Sequence, residues 1–253
     1  MSKPADKKVV VVMPAFNAAR TLRETYSAIP TDWVDEVILV DDNSTDDTVS
    51  LARDLPRDLP LHVIWHPHNV GYGGNQKTCY LEALQRGADV VVMLHPDGQY
   101  EPSLIPNMVE PILADEADLV LGSRLAVRGA ARKGGMPLYK FVANRFLTTI
   151  QNLIMGTRLS ELHSGYRAYS RELLMDVPFL RNALDFSFDP EVLYQSKHFG
   201  YRIAEVPTTT RYFEEASSVG FGDSVIYGLK TLGVGGQLLL HRARVRRYRK
   251  FQP

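Results

Sequence analysis

Short apolar runs, mostly β-branched, recur along the chain at residues 9–13, 37–40, 61–65, 90–94 and 119–121. A run with no polar alternation suits a strand buried on both faces, as in a parallel sheet covered by helices. Longer stretches at 18–28, 45–55 and 74–86 separate the first four runs and read as helices. Strand and helix in alternation predict an α/β fold, a mostly parallel sheet with helices on both faces. Such sheets bind ligands outside the carboxyl ends of their strands. The residues just after each strand are therefore the first place to look for chemistry.

The second half is less regular. Residues 126–136 carry Gly129, Gly134 and Gly135 among Arg128, Arg132 and Lys133, which predicts a mobile basic loop. Helices are expected near 138–155, 171–175 and 190–199, the last closed by Gly200, and a strand at 201–206 ends at Pro207. Residues 222–240 place Val225, Ile226, Leu229, Leu232, Leu239 and Leu240 at helical spacing, interrupted by Gly228, Gly233, Gly235 and Gly236. The organisation that follows is one α/β domain over 1–215 and a C-terminal amphipathic, basic segment over 216–253.

Composition adds two exclusions. Cys79 is the single cysteine, so an internal disulfide and a cysteine-based zinc site are ruled out, and a reducing compartment is the simpler reading. The longest apolar runs are about five residues, against the roughly 18 that a spanning helix needs, so the chain is not expected to cross a bilayer alone. Charge looks empty at first, with 29 basic and 29 acidic side chains. From residue 216 onward, however, seven bases (Lys230, Arg242, Arg244, Arg246, Arg247, Arg249 and Lys250) face Asp223 alone, so the rest of the chain is acidic. A basic end on an acidic body predicts a polyanionic surface there. An anionic membrane is the preferred partner, a solvated tail the bland alternative, and no nucleic acid is expected, because no reading motif accompanies the charge.

The strand ends carry distinct residue types. Pro14-Ala15-Phe16-Asn17 follows the first run: a turn, or a turn whose aromatic packs on a flat ring. Asp41-Asp42 follows the second; Ser44 and Asp47 fit a helix capping box, but the aspartate pair before them suits contacts to a ribose or base. Gly71, Gly73 and Gly74 allow close backbone approach to a ligand, or only a tight turn. His95-Pro96-Asp97-Gly98-Gln99 puts a carboxylate and an amide oxygen two residues apart, a pattern that can face a hard cation. Together these turns fit a nucleotide diphosphate with a divalent ion better than any one of them does.

In this order, Pro14-Ala15-Phe16-Asn17, Val40-Asp41-Asp42-Asn43-Ser44 and the Asp97 turn resemble a family 2 glycosyltransferase of GT-A fold. Gly122-Ser123-Arg124, the 164–171 stretch SGYRAYSR and Glu205-Val206-Pro207 are similar to the branch that includes dolichyl-phosphate mannose synthase and bacterial polyprenyl-phosphate sugar transferases. The resemblance implies an inverting transfer of a hexose from a nucleotide-diphosphate sugar (GDP-mannose or UDP-glucose type) to a polyprenyl phosphate. Pro14, Ala15, Phe16, Asn17, Val40, Asp42, His95, Pro96 and Asp97 would hold the donor. Asp97 with Gln99 would hold Mg²⁺ or Mn²⁺. Arg124 would face the acceptor phosphate or the diphosphate, and Arg211 would close over the donor.

Three positions depart from the resembled pattern. Ala18 stands where a glutamate is usual, His95 replaces the first aspartate of the metal motif, and Ser217-Ser218 lacks a phosphate-binding lysine, for which Arg132 or Lys133 are the candidate substitutes. A phosphate acceptor is already an anionic nucleophile and needs no general base; a hydroxyl acceptor would need one, and Asp189 and Glu191 are the candidates. The implied setting is cytoplasmic and peripheral on the membrane face. A soluble or glycan hydroxyl acceptor, a non-catalytic nucleotide-sugar binding subunit, and a homo-oligomer or membrane partner protein stay open.

Overall fold

The computed structural model describes residues 3–56, 58–127, 129–209 and 221–253, apart from the side chains of 130, 133 and 221. In chain order the elements are β1 (Val9–Ala15), α1 (Leu22–Ser27), β2 (Glu36–Asp41), α2 (Thr48–Arg53), β3 (Leu61–Trp65), α3 (Tyr72–Gln85), β4 (Val90–Met93), α4 (Ile105–Leu113), β5 (Leu119–Ser123), α5 (Ala130–Lys133), α6 (Leu138–Met155), β6 (Arg167–Ser170), α7 (Arg171–Asp176), α8 (Phe188–His198), β7 (Ile203–Pro207) and α9 (Phe221–Arg242). The strands form one seven-stranded sheet in the order β3-β2-β1-β4-β6-β5-β7. All pairs are parallel except those of β6, which runs antiparallel to both β4 and β5.

β1 shows why its residues are apolar without alternation. Val9, Val11 and Met13 point into a core with Leu22, Tyr26, Leu39 and Ile105, while Val10 and Val12 point into another with Tyr80, Leu121 and Leu193. Two cores on opposite faces of one sheet demand apolar residues on both. α6 follows Pro137 and stops where Gly156 turns left-handed at φ +69°, a conformation costly for a residue with a Cβ.

Several elements differ from the sequence pattern. α1 and α2 start later than expected, because the residues before them zip two loops together. Asn17 N–H donates to Ser44 Oγ (2.8 Å), Thr45 N–H to Asn17 Oδ1 (2.9 Å) and Ala18 N–H to Thr48 Oγ1 (2.8 Å). The Ser44–Asp47 capping box therefore does not form; Asp46 accepts from Thr48 N–H instead (3.0 Å). Residues 126–136 are not simply a mobile loop: they include α5, and Met136 is buried. α4 and β6 lie outside the elements that the pattern predicts.

The C-terminal segment is helical and amphipathic as expected, but its inner face is part of the molecule. Val234, Leu238 and Phe251 join the second core, and α9 packs on α6 and α8. Gly235 permits the contact, since a Cβ there would lie 2.6 Å from Tyr194 Oη and 2.7 Å from Ile154 Cδ1.

Candidate active site

The parallel strands β1, β2 and β4 end on the same edge of the sheet, and the turns after them border a cavity of about 770 Å³. Of the residues expected to hold a donor, Pro14, Ala15, Phe16, Asn17, Asp42, His95, Pro96 and Asp97 all line it, as do Gln99 and Arg124. Phe16 is 54% exposed on the rim, with a free face for a planar ring. Val40 does not line the cavity: its side chain is fully buried in the second core, and its carbonyl accepts from Asn75 Nδ2 (2.9 Å). Arg132 lies apart, beside a groove with Leu125, Phe141 and Arg145. Arg211, Ser217, Ser218 and Arg128 lie outside the described residues, as does the Lys133 side chain.

The acidic pair after β2 is largely occupied in holding loops. Asp41 Oδ1 accepts from Ser44 N–H (3.0 Å). Asp42 accepts from Val70 N–H (2.9 Å) and Gly71 N–H (3.0 Å) and lies 3.0 Å from His66 Nδ1. The glycines that follow admit protein, not cavity. A Cβ on Gly73 would lie 2.5 Å from Ala183 O and 2.8 Å from Phe188 Cβ, so the start of α3 is pressed against residues 183–188.

Asp97 differs from Asp42 and Asp189, the other partly or fully buried acids of the site. Its carboxylate accepts one hydrogen bond, from Gln99 N–H (3.0 Å), and no basic side chain pairs with it among the described residues. Desolvation pushes its pKa up, and the neighbouring His95 and the Gln99 N–H offset this only in part. His95 sits beside it, its ring stacked on Tyr72 at 5.6 Å and close enough to Gly165 that a Cβ there would touch it at 3.1 Å. A partly buried carboxylate beside an imidazole, with Gln99 also lining the cavity, fits a divalent ion held partly by substrate phosphates. Among the described residues no cage of three or more His, Cys, Asp or Glu side chains exists to hold a metal alone.

Beyond Asp97 the wall is a network of buried charges. Arg124 Nε donates to Glu161 Oε1 (2.8 Å) and its Nη2 to the His163 carbonyl (3.1 Å); Asn144 Nδ2 also donates to Glu161 (2.8 Å). Burial alone would raise the pKa of Glu161, but Arg124 and these hydrogen bonds hold it below the usual range. His163 lies 2.9 Å from Tyr227 Oη through Nδ1, and burial lowers its pKa to about 4. Lys140 and Ser224 complete this end of the cavity.

The two candidate bases are both committed. Asp189 accepts from Gln76 Nε2 (3.1 Å) and Tyr72 Oη (2.9 Å) and pairs with the fully buried Arg167 (3.2 Å). Glu191 faces away from the cavity, bound to Lys250 and to Ala183 N–H (2.6 Å). His163 and Tyr72, which line the cavity, and Glu161 and Gln76, which hold the lining residues Arg124 and Asp189 from behind, are residues that sequence reasoning missed. Glu161 is 37 residues from Arg124, and no local spacing links them.

Comparison with known proteins agrees with this geometry. Residues 10–177 match the family described as glycosyl transferase family 2. The chain is 29% identical over 248 residues to the UDP-N-acetylglucosamine–dolichyl-phosphate N-acetylglucosaminyltransferase of Methanococcus voltae, covering 91% of this chain and 98% of that protein. It is 26% identical over 252 residues to the polyprenol monophosphomannose synthase of Mycolicibacterium smegmatis, covering 95% and 92%. In fold it is similar to glucosyl-3-phosphoglycerate synthase of Mycobacterium tuberculosis, solved with Mn²⁺, uridine diphosphate and glucosyl-3-phosphoglycerate, at a TM-score of 0.68 and 23% identity over 94% of this chain and 80% of that one. A mostly parallel sheet of GT-A type, its site at the strand carboxyl ends, and a family match over two-thirds of its length make this chain a glycosyltransferase, and it belongs to glycosyl transferase family 2.

Proposed function

We propose that the chain transfers a hexose, with inversion, from a nucleotide-diphosphate sugar to a polyprenyl phosphate. The donor nucleotide would lie along Pro14–Asn17 and Asp42, its base against Phe16 and its diphosphate toward Asp97. A divalent ion at Asp97 and Gln99 would supply positive charge to the diphosphate as it leaves. Arg124 and Lys140 line the far side of the cavity, where an acceptor phosphate would meet fixed positive charge.

The observation that carries the acceptor class is the state of the two acids on α8. Asp189 is held by a buried arginine and two hydrogen bonds, and Glu191 is turned to Lys250. A hydroxyl acceptor would need a base to take its proton, whereas a phosphate arrives already ionised. The relatives that act on dolichyl and polyprenol phosphates support the same choice.

A lipid acceptor implies a surface on which to meet it. α6 exposes Leu138, Val142, Phe146 and Leu153, and α9 exposes Val225, Ile226 and Leu229. No described helix is long and apolar enough to cross a membrane. These faces, with the exposed arginines after α9, support peripheral docking on an anionic leaflet, at the cytoplasmic side. The sequence pattern assigned this role to the C-terminal segment alone; the exposed side chains of α6 extend it.

The test is a donor screen with UDP-N-acetylglucosamine, UDP-glucose and GDP-mannose, with undecaprenyl phosphate and Mg²⁺ or Mn²⁺. Nucleoside diphosphate release that depends on the lipid phosphate is the expected result. Release at the same rate with a free sugar acceptor and no lipid would move the assignment to a hydroxyl acceptor, and no release with any donor would remove the catalytic reading.

A further inference from the structure

The residues after α9 turn back onto the body. Phe251 is buried, its carbonyl lies 3.1 Å from His198 Nε2, and Arg181 Nη1 donates to the carbonyls of Arg249 and Gln252 (2.7 Å each). This strap places Lys250 against Glu191, a carboxylate only 3% exposed, whose other oxygen accepts from Ala183 N–H. Gln195 Nε2 donates to the Lys250 carbonyl (2.8 Å), and its side-chain amide pairs with that of Asn182 (2.7 and 2.8 Å). Residues 182–187 therefore depend on the strap at their first two positions.

The same residues form part of the cavity wall. Leu184 O accepts from Gly73 N–H (2.7 Å), Phe186 packs on Tyr72 at 4.5 Å, and Tyr72 is the ring stacked on His95. A chain of contacts thus runs from Lys250 through Glu191, Ala183, Phe186 and Tyr72 to the His95–Asp97 turn. From it we infer that Lys250 and Glu191 are positioning residues for the reaction: the strap's ammonium balances the buried carboxylate, and the carboxylate holds the 183–187 wall in register with the site.

The physics gives this inference a signature. Removing one member of a buried ion pair strands the other's charge, whereas replacing both with neutral groups can restore the fold. In Lys250→Met, Glu191 loses its ion-pair partner; Lys77, a nearby cation, is already bonded to the Asn182 carbonyl (2.5 Å). In the double variant Lys250→Met/Glu191→Gln, the amide oxygen introduced at position 191 still accepts from Ala183 N–H and neither member of the pair leaves the other's charge behind. Glu191→Ala removes the acceptor itself.

The experiment uses the full chain and two readouts. Hydrogen exchange followed by mass spectrometry reads the peptides covering 181–188 and 70–76, and steady-state kinetics reads turnover with whichever donor works in the screen above. Lys250→Met and Glu191→Ala are expected to speed exchange in those two peptides alone and to lower kcat about tenfold or more with KM for the donor little changed, since small misplacements in a site act on rate. The double variant is expected to recover wild-type exchange and most of kcat. The inference is overturned if Lys250→Met exchanges like the wild type, if the double variant stays as impaired as the single, or if exchange rises across the whole chain. Should Lys250→Met not fold, Glu191→Ala against the double variant makes the same comparison, with protection of 181–188 lost in the first and kept in the second. The kinetic readout rests on the transferase assignment, and the exchange readout does not; a wild type without turnover would sink that assignment while the exchange data still decide this one.

Discussion

At the scale of single residues, Asp97 carries a desolvated charge that His95 and the Gln99 N–H offset only in part. Desolvation raises its pKa, so at neutral pH the ionised carboxylate works against folding. Asp97→Asn should lower transfer at least 100-fold, a loss typical of removing a main electrostatic element from an active site. It should also raise the melting temperature of the metal-free protein, which differential scanning fluorimetry would show. Glu161 is the reverse case. Fully buried and bound to Arg124, it is stabilising as a carboxylate, and Glu161→Gln should cost about 3–5 kcal/mol in urea denaturation by stranding the guanidinium. His163 sets a pH dependence. Its folded pKa is about 4 against about 6.5 for a free imidazole, so between those values the unfolded chain binds a proton that the folded chain refuses. Stability should therefore fall as pH drops from about 6.5 toward 4, by on the order of 3 kcal/mol, and His163→Gln should flatten that slope. Glu161, with a depressed pKa, adds its own loss only at lower pH, as its carboxylate is finally protonated. Asp97, Arg124 and Phe16 were legible in the sequence because each sits at a strand end in a short motif. Glu161 and His163 were not, since the partners that give them meaning come from α6, α9 and the end of β5.

At the scale of elements, the five apolar runs and the 201–206 stretch located six of the seven described strands. β6 escaped because its four residues include Arg167, a fully buried charge whose ion pair with Asp189 comes from α8. α4 escaped because Pro106 and Pro111 read as breakers, yet the first falls in the opening turn, where no N–H is needed, and Ile105, Met108 and Val109 still form a buried face. The glycines of α9 read as a weakness of the helix. At Gly235 the absence of a side chain is instead a packing requirement, since a Cβ would intrude on Tyr194 and Ile154. Gly235→Ala should improve helix propensity and still destabilise, by about 1–3 kcal/mol of overpacking. That corresponds to roughly 2–4 °C of melting temperature per kcal/mol in a protein of this size, measurable by calorimetry.

At the scale of the molecule, zero net charge conceals a division of surfaces. Lys250 and Lys230 are spent on Glu191 and Asp185, so the arginines at 242, 244, 246, 247 and 249 carry the exposed basic charge of the C-terminal segment. Cosedimentation with vesicles containing anionic lipid should fall as salt rises. It should fall further when Val225, Ile226 and Leu229 are replaced by serine, with melting temperature nearly unchanged because those side chains already face solvent. The sheet order has a consequence of another kind. β1 to β4 come from one continuous stretch of chain, but the free edge of β4 is covered only by β6, which is made much later and runs the other way. Until Arg167–Ser170 arrives, Val90–Met93 presents an apolar strand with open hydrogen-bonding groups to any neighbouring chain. Damage to the C-terminal half of the fold would then show itself as insoluble protein, because the N-terminal half left behind carries a sticky edge.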